Sequence, residues 1–360
     1  MKRAVKIGLI VLAVLLAAVI AYVAYVFIDY HRLPDRQPLA VEQNTAVQAQ
    51  TDTEYELVSF NIGFGAYEPD YGFFMDGGTQ SWAWSKERLE QNLTAIGDWL
   101  TNRSPDLLLL QEVDEKGTRT YQVNERQLLT DRLSDRTAVW AQNWDSPFLM
   151  YPLAQPHGAN RSGLLTFSRF TVDSALRRSL PIENSLRRLV DLDRCYSVSR
   201  IPVADGHTLV LYDVHLSAYT SDGTVAVRQL EQLIADMRAE YEAGNYVLCG
   251  GDFNKNLLGD DAAAFGAAGA SEEYTWAQPF PTALLDGTGL SLCAPLDRSN
   301  PVPSCRNADS AWHEGQYVVT VDGFIVSDNI AVESAEVVDT GFAYSDHNPV
   351  SLRFRLHAGQ

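Results

Sequence analysis

The sequence predicts an α+β fold: mixed β-sheets packed face to face with helices outside, preceded by one membrane-spanning helix. Three observations carry that prediction. From Glu54 onward, short β-rich runs outnumber the helical stretches between them, whereas a doubly wound parallel sheet needs a helix between almost every pair of strands. Two of those runs, residues 194–203 and 208–214, are joined through Asp205-Gly206 and read as a hairpin. An apolar run without charge or proline, residues 7–28, stands ahead of everything else.

That run is long enough to cross a bilayer, since about 20 apolar residues span the hydrocarbon core as a helix. Tyr22, Tyr25 and Phe27 sit near its far end, where aromatic side chains favour the membrane interface. Lys2, Arg3 and Lys6 precede it, and positive charge in a short flank holds that side in the cytoplasm. Residues 1–6 are therefore expected as a cytoplasmic stub and 7–28 as an uncleaved anchor, with the rest outside the cell membrane. A cleaved signal peptide is the rival reading. Its apolar region is normally about 7–15 residues long, and only Ala21-Tyr22-Val23-Ala24 offers a strained cleavage site. A buried core helix would need a polar face, which this run lacks. Residues 29–53, with Pro34, Pro38 and a Gln/Asn/Thr-rich composition, read as a linker with little order.

The main domain is expected over 54–360. Residues 55–60 form its first strand. Residues 86–100 follow as a helix with Leu89, Leu93, Ile96 and Leu100 on one face. After Pro105, residues 106–110 are apolar enough for a central strand. Residues 163–167 add another, and the hairpin follows. A helix over 224–242 presents Val227, Leu230, Leu233, Ile234 and Met237. Strands at 245–249, 318–326 and 350–356 complete the set.

Composition narrows the function. The chain has 46% hydrophobic and 21% charged residues and a formal net charge of -18. An acidic surface repels polyanions, the opposite of most nucleic-acid binders, although metal ions can neutralise a phosphate locally. The four cysteines, Cys195, Cys249, Cys293 and Cys305, include no CxxC pair, which argues against a structural zinc site. Cys249 reads as a buried, inert thiol. Cys293 and Cys305 flank a short proline-containing loop, and a bridge between them is expected outside the cytosol.

Chemistry-bearing residues gather at strand ends in six places. They are Ser59-Phe60-Asn61, Leu110-Gln111-Glu112-Val113, Asp213-Val214-His215-Leu216, Gly250-Gly251-Asp252-Phe253-Asn254, Val321-Asp322-Gly323-Phe324 and Ser345-Asp346-His347-Asn348-Pro349. Each alone has a bland reading. Glu112 would be a solvated carboxylate, Asn61 a turn residue before Gly63, His215 a strand-end histidine bonded to a loop, His347 a loop histidine and Asp252 part of a Gly-Asp turn. Gly250-Gly251 permits a tight turn. If the segment is extended, Asp252 and Asn254 project to one side.

In order and spacing the six segments resemble the endonuclease/exonuclease/phosphatase family, which includes DNase-I-like nucleases, over residues 54–357. The resemblance implies a four-layered α/β/β/α sandwich with the site at one edge. It also implies a metal-dependent phosphoric ester hydrolase using Mg²⁺ or Mn²⁺, for which carboxylate oxygens are suitable hard donors. By the same resemblance Glu112 is the principal metal ligand, with Asn61 beside it and Asp346 contributing. Asp322 orients His347 at the phosphate or its attacking water. Asp252 and Asn254 align the nucleophile and hold a phosphate oxygen, and His215 contacts the scissile phosphate. Arg228 fits packing or a salt bridge. Asn160, Arg161 and Ser162 occupy a loop that approaches substrate in the family, and receive no role. His157, His207, His313 and His357 read as structural or exposed.

The substrate stays open between a phospholipid headgroup and nucleic acid, and between diester and monoester. An extracellular nuclease, or an inactive binding module on the same fold, are the alternatives. The segment 64–84, rich in Tyr, Phe and Trp, is an aromatic insertion that either approaches substrate or packs onto its own domain. No protein partner is inferred beyond the membrane.

Overall fold

The computed structural model describes residues 2–218, 224–269 and 276–357. Met1 of the expected stub and the last three residues of the expected 54–360 domain lie outside the described residues.

The apolar run forms α1 (Lys2–Asp29), whose side chains are almost all exposed. It is one helix long and apolar enough to cross a membrane. The next segment departs from the expected linker. It holds β1 (Gln37–Leu39) and β2 (Val41–Glu42), and Ala49 is fully buried. Strands of three and two residues are too short to show a period of two, so their sequence carried no pattern.

The domain continues with β3 (Glu54–Asn61), α2 (Lys86–Arg103), β4 (Leu107–Gly117), α3 (Glu125–Arg132), β5 (Thr137–Asp145), β6 (Asn160–Ser168) and β7 (Ser174–Ser179). Then come β8 (Cys195–Pro202), β9 (Thr208–His215), α4 (Thr224–Glu242), β10 (Tyr246–Asp252), β11 (Leu290–Cys293), β12 (Cys305–Arg306) and β13 (Val318–Val319). The last three strands are β14 (Asp322–Ser327), β15 (Ile330–Val337) and β16 (Val350–Leu356). Helix α2 starts where the Ser85 side chain accepts from the Arg88 N–H, and ends at Ser104 in a left-handed conformation, just before Pro105.

Two seven-stranded sheets result, in orders β1-β7-β8-β9-β10-β14-β11 and β15-β16-β3-β4-β6-β5-β2. The former linker stitches both, because β1 pairs with β7 in one and β2 with β5 in the other. The hairpin of β8 and β9 forms as expected. The run 318–326 is not one strand. β13 pairs with β12 in a small separate ribbon, and the chain changes sheet where the Thr320 and Val321 carbonyls accept from Leu257 and Phe253.

Alternation along the strands builds four layers. On β3 and β4, Val58, Phe60, Leu108 and Leu110 face Leu89, Leu93, Ile96 and Leu100 of α2. Leu57, Leu107 and Leu109 turn the other way, onto Leu209, Leu211, Leu248 and Phe324 of the second sheet. That sheet's outer face, with Val210, Tyr212, Val247 and Ile325, packs on Leu230, Leu233, Ile234 and Met237 of α4. The architecture is the expected α/β/β/α sandwich behind an apolar helix. Burying one such Leu contributes about 1.5–3 kcal/mol.

All four cysteines carry free thiols. The expected Cys293–Cys305 bridge does not form because the two lie in different sheets, Cys293 opposite Phe324 and Cys305 opposite Val319.

Candidate active site

Inward-facing positions change character step by step along the central strands. Apolar Leu57, Leu109, Leu211 and Leu248 come first. One pleat further, Ser59, Gln111 and Asp213 are wholly buried. Gln111 donates to Asp213 Oδ1 at 2.8 Å and Thr166 donates to Oδ2 at 3.2 Å, across the gap between the sheets. At the last pleat stand Asn61, His215 and Asp252. β3 runs parallel to β4 and β9 runs parallel to β10, so these strands bring their carboxyl ends to one edge. Asp252 lies opposite both His215 on β9 and Asp322 on β14.

Gly250 and Gly251 do not make the expected turn; both lie within β10. A Cβ on Gly250 would meet Leu109 Cδ1 at 2.9 Å, and one on Gly251, at φ +147°, would meet the Val214 carbonyl oxygen at 2.0 Å. Glycine here permits close packing of sheet on sheet and strand on strand. Nor is the segment after Asp252 extended. Asn254 has φ 48° and its N–H donates back to Asp252 Oδ1 at 2.8 Å. Its side-chain amide donates to the Leu216 carbonyl at 2.9 Å, so the two side chains do not project as a parallel pair.

β4 does not end at Glu112 as expected but runs on to Gly117, with a register shift against β6 between Leu110 and Val113. Glu112 occupies that bulge at φ 55°. A left-handed glutamate is strained backbone of the kind found at functional sites, and the bulge re-aims the carboxylate toward Asn61.

The polar groups then converge. Asn61 Nδ2 donates to Glu112 Oε1 at 3.3 Å and to Asp252 Oδ2 at 3.1 Å, while its oxygen accepts the Gly63 N–H at 3.0 Å. His215 Nε2 stands 3.4 Å from Asp252 Oδ2 and 4.0 Å from Glu112 Oε1. His347 Nδ1 is 2.7 Å from Asp322 Oδ2, and His347 Nε2 is 4.0 Å from Asp252 Oδ2. Ser345 Oγ donates to the Asn61 carbonyl at 2.8 Å, which fastens the Asp346-His347 segment to the end of β3. Glu112, His215, Asp252, Asn254, Asp346 and His347 all line one cavity of about 680 Å³. Asp322 lies behind it, 1% exposed.

Burial governs the electrostatics. Burial and the Asp322 carboxylate push Asp252 up to about 7, against the pull of His347. Burial opposes the charge on His347, but Asp322 holds it protonated well above the usual imidazole range. Burial, Arg194 and His347 together keep His215 neutral. Asp346 is raised by burial and by Glu112, and lowered by His347 and Arg306.

The residues fit a hard divalent cation. Glu112 is partly exposed and its only ion-pair neighbour among the described residues is His215, and Asp346 lines the same cavity. Asp252, Asp322 and His347 also present ligand atoms within 4.8 Å of one another. Asp322 Oδ2, however, already takes His347 Nδ1 and Ser304 Oγ, so it serves to orient His347, whose Nε2 stands 4.0 Å from Asp252, beyond hydrogen-bond distance. Asn61 presents nitrogen, not oxygen, to the carboxylates.

Several residues were not legible in advance. Ser304 Oγ donates to Asp322 Oδ2 at 2.7 Å and accepts the Val321 and Asp322 N–H groups; nothing in Pro-Ser-Cys marks it. Arg194 and Arg306 line the cavity without any periodic signal. The aromatic insertion does both things weighed for it. Phe64, Tyr67, Tyr71 and Phe73 pack into the core, and Tyr67, Phe73, Phe74 and Met75 line the cavity. Arg228 is exposed on α4, away from the cavity lining. His157 is buried against Phe73, Phe74 and Trp144, and burial pushes it down to about 3.

Solved structures share this arrangement of layers. An endonuclease/exonuclease/phosphatase from Beutenbergia cavernae matches with TM-score 0.55 at 16% identity, covering 84% of this chain and 72% of that one. ANGEL2, a 2′,3′-cyclic phosphatase in complex with adenosine-2′,3′-vanadate, matches with TM-score 0.56 at 15% identity, covering 90% and 99%. The human Nocturnin catalytic domain with bound sulfate matches with TM-score 0.52 at 17% identity, covering 87% and 98%. No curated protein sequence matches significantly. The model of the Endonuclease/Exonuclease/phosphatase family matches residues 58–347, most of the chain and every segment in which the site residues lie, and the chain belongs to that family.

Proposed function

We propose that this chain is a divalent-metal-dependent phosphoesterase that hydrolyses a phosphodiester at the outer face of a membrane anchored by α1. The observation that carries the reading is the line Asp322–His347–Asp252, set against Glu112 and Asp346 in one cavity. The similarity to ANGEL2, a 2′,3′-cyclic phosphatase, supports the same reaction class.

Glu112 and Asp346 would hold Mg²⁺ or Mn²⁺, which supplies charge stabilisation to the phosphoryl and leaving oxygens when bound. Asn61 keeps Glu112 and Asp252 in place through its amide hydrogens. Asp252, in a water-poor corner, accepts the proton of the attacking water. His347, oriented by Asp322, presents Nε2–H to a phosphate oxygen, and His215 donates from the opposite side of Asp252. Asn254 fixes the turn that carries Asp252.

Turnover of a soluble aryl phosphodiester with Mg²⁺ tests the assignment. Glu112→Gln and His347→Ala are each expected to lower it by roughly a hundredfold or more while the far-UV spectrum stays native. Variants as fast as the parent chain would refute the roles given.

A further inference from the structure

Outside α1, the most exposed large apolar side chains, Leu153, Leu186, Tyr151 and Met75, line or lie close in sequence to the mouth of the active-site cavity, while Val47, Trp84, Leu128 and Val332 are exposed elsewhere. Met75, Met150, Tyr151 and Val190 line it, yet they are 60%, 43%, 70% and 41% exposed. Leu153 and Leu186 beside them reach 82% and 73%. An apolar rim of this extent marks an interaction surface.

Its position relative to α1 says what it meets. Tyr22 lines the same cavity, and its hydroxyl donates to the Phe148 carbonyl at 3.0 Å and accepts from the Met150 N–H at 3.3 Å. The Tyr25 hydroxyl accepts the Phe148 N–H at 2.9 Å. The loop after β5 is thus tied to the helix six residues before the apolar run ends at Ile28. At about 1.5 Å per residue that is ~9 Å short of the end. The whole run measures ~33 Å against a hydrocarbon core of ~30 Å. A helix that spans the bilayer therefore holds Met150 and Tyr151 ~8 Å inside the hydrocarbon edge, within the roughly 5–10 Å to which interfacial apolar groups insert. Arg187 and Arg188, both exposed, sit between Leu186 and Val190. Basic and apolar groups in alternation suit an anionic lipid surface.

We propose that the mouth of the site rests on the membrane that α1 spans, and that the substrate is a phosphodiester lipid of that same membrane. The inference rests on the phosphoesterase reading above. The lipid's phosphate would lie at His347 and Glu112, with its apolar portion against Phe74, Leu149 and Met150. Water adds to phosphorus, one phosphoester bond breaks, and the leaving oxygen takes up a proton; no further reactant is needed.

The test uses the full chain in phosphatidylcholine/phosphatidylglycerol vesicles with Mg²⁺. Lipid hydrolysis is read by mass spectrometry beside turnover of a soluble aryl phosphodiester and a single-stranded oligonucleotide. The double variant Leu153→Glu with Leu186→Glu changes rim residues outside the cavity lining. It is expected to lower lipid hydrolysis roughly tenfold or more with the soluble diester unchanged. Soluble-diester turnover without lipid hydrolysis, preference for the oligonucleotide, or equal loss on both substrates would overturn the proposal. If the parent chain turns over no diester at all, the phosphoesterase reading fails instead.

An independent observation concerns Arg194. It is 7% exposed, it lines the cavity, and its Nε and Nη1 have no hydrogen-bond partner among the described residues. An uncompensated buried guanidinium is costly, and a phosphate oxygen satisfies it by accepting a charge-assisted N–H bond. We infer that Arg194 receives a non-bridging oxygen of the substrate phosphate. Inorganic phosphate, as a competitive inhibitor, is the probe. Arg194→Gln is expected to weaken it roughly tenfold or more and to raise KM more than it lowers kcat, with Arg194→Lys partly restoring both. Unchanged phosphate inhibition in a folded Arg194→Gln protein overturns the inference. If that protein does not fold, Arg194→Lys decides, since its inhibition must still shift.

Discussion

Ser304 shows how far the chemistry reaches beyond groups that face the cavity. Its hydroxyl donates to Asp322 Oδ2 while accepting two backbone N–H groups, so the carboxylate that orients His347 is itself held in place. Orienting partners of this kind typically matter by ten- to a hundredfold. Ser304→Ala is expected to slow diester turnover roughly tenfold and to move the acid limb of the pH–rate profile, with little change in KM. An unaltered profile in kinetic assays would reduce Ser304 to packing. At this scale the sequence was informative for groups and poor for orientations. Glu112 and Asp252 stood out because polar residues followed apolar strands, and Asp322 and His347 because their segments complete the order and spacing of the family. The Asn61 amide, turned nitrogen-first to the carboxylates, and Glu112, in a left-handed bulge, depend on backbone geometry set by distant pairing.

Single elements explain which parts were readable. Strands β3, β9 and β10 and helices α2 and α4 each bury a face, and the period of that face is visible in the chain. Strands β1 and β2 bury no side chain fully, so the segment that ties the apolar helix to both sheets reads as a linker. The aromatic insertion has a hidden clamp. Arg306, 1% exposed, directs its guanidinium to the carbonyls of Tyr67, Glu68, Tyr71, Asn307 and Ser310 at 3.2–3.4 Å. Several buried carbonyls lose their donor together in Arg306→Ala, which is expected to cost about 3 kcal/mol in urea unfolding and to open residues 64–84 to protease. Parent-like stability and protection would contradict the clamp.

Across the whole molecule, the two sheets are registered by the buried network of Gln111, Asp213 and Thr166 lying just beneath the site. Burial pushes Asp213 from 3.8 up to about 8, although both hydrogen bonds pull the other way. The folded state therefore keeps a proton that the unfolded chain releases above its own carboxyl range. Stability from this group is complete at low pH and declines as pH rises between about 4 and 8, by at most ~1.4 kcal/mol per pH unit. Asp213→Asn imitates the protonated form. Its stability relative to the parent chain should be near zero at about pH 3 and increasingly favourable toward pH 8 in urea titrations; a difference constant with pH would contradict the assignment. This polar layer also explains why the fold class was legible while its registry was not. Apolar alternation gives the layers, but only the paired structure shows which polar side chains meet between them.

The central claim is that these carboxylates and imidazoles direct water onto phosphorus with the help of a divalent cation. Hydrolysis of a soluble phosphodiester in ¹⁸O-labelled water, with Mg²⁺ and then with chelator, tests it most directly. The account predicts one labelled oxygen in the phosphate product and none in the alcohol, with turnover abolished by chelation and restored by Mg²⁺. Label in the alcohol, or turnover indifferent to the metal, would contradict it.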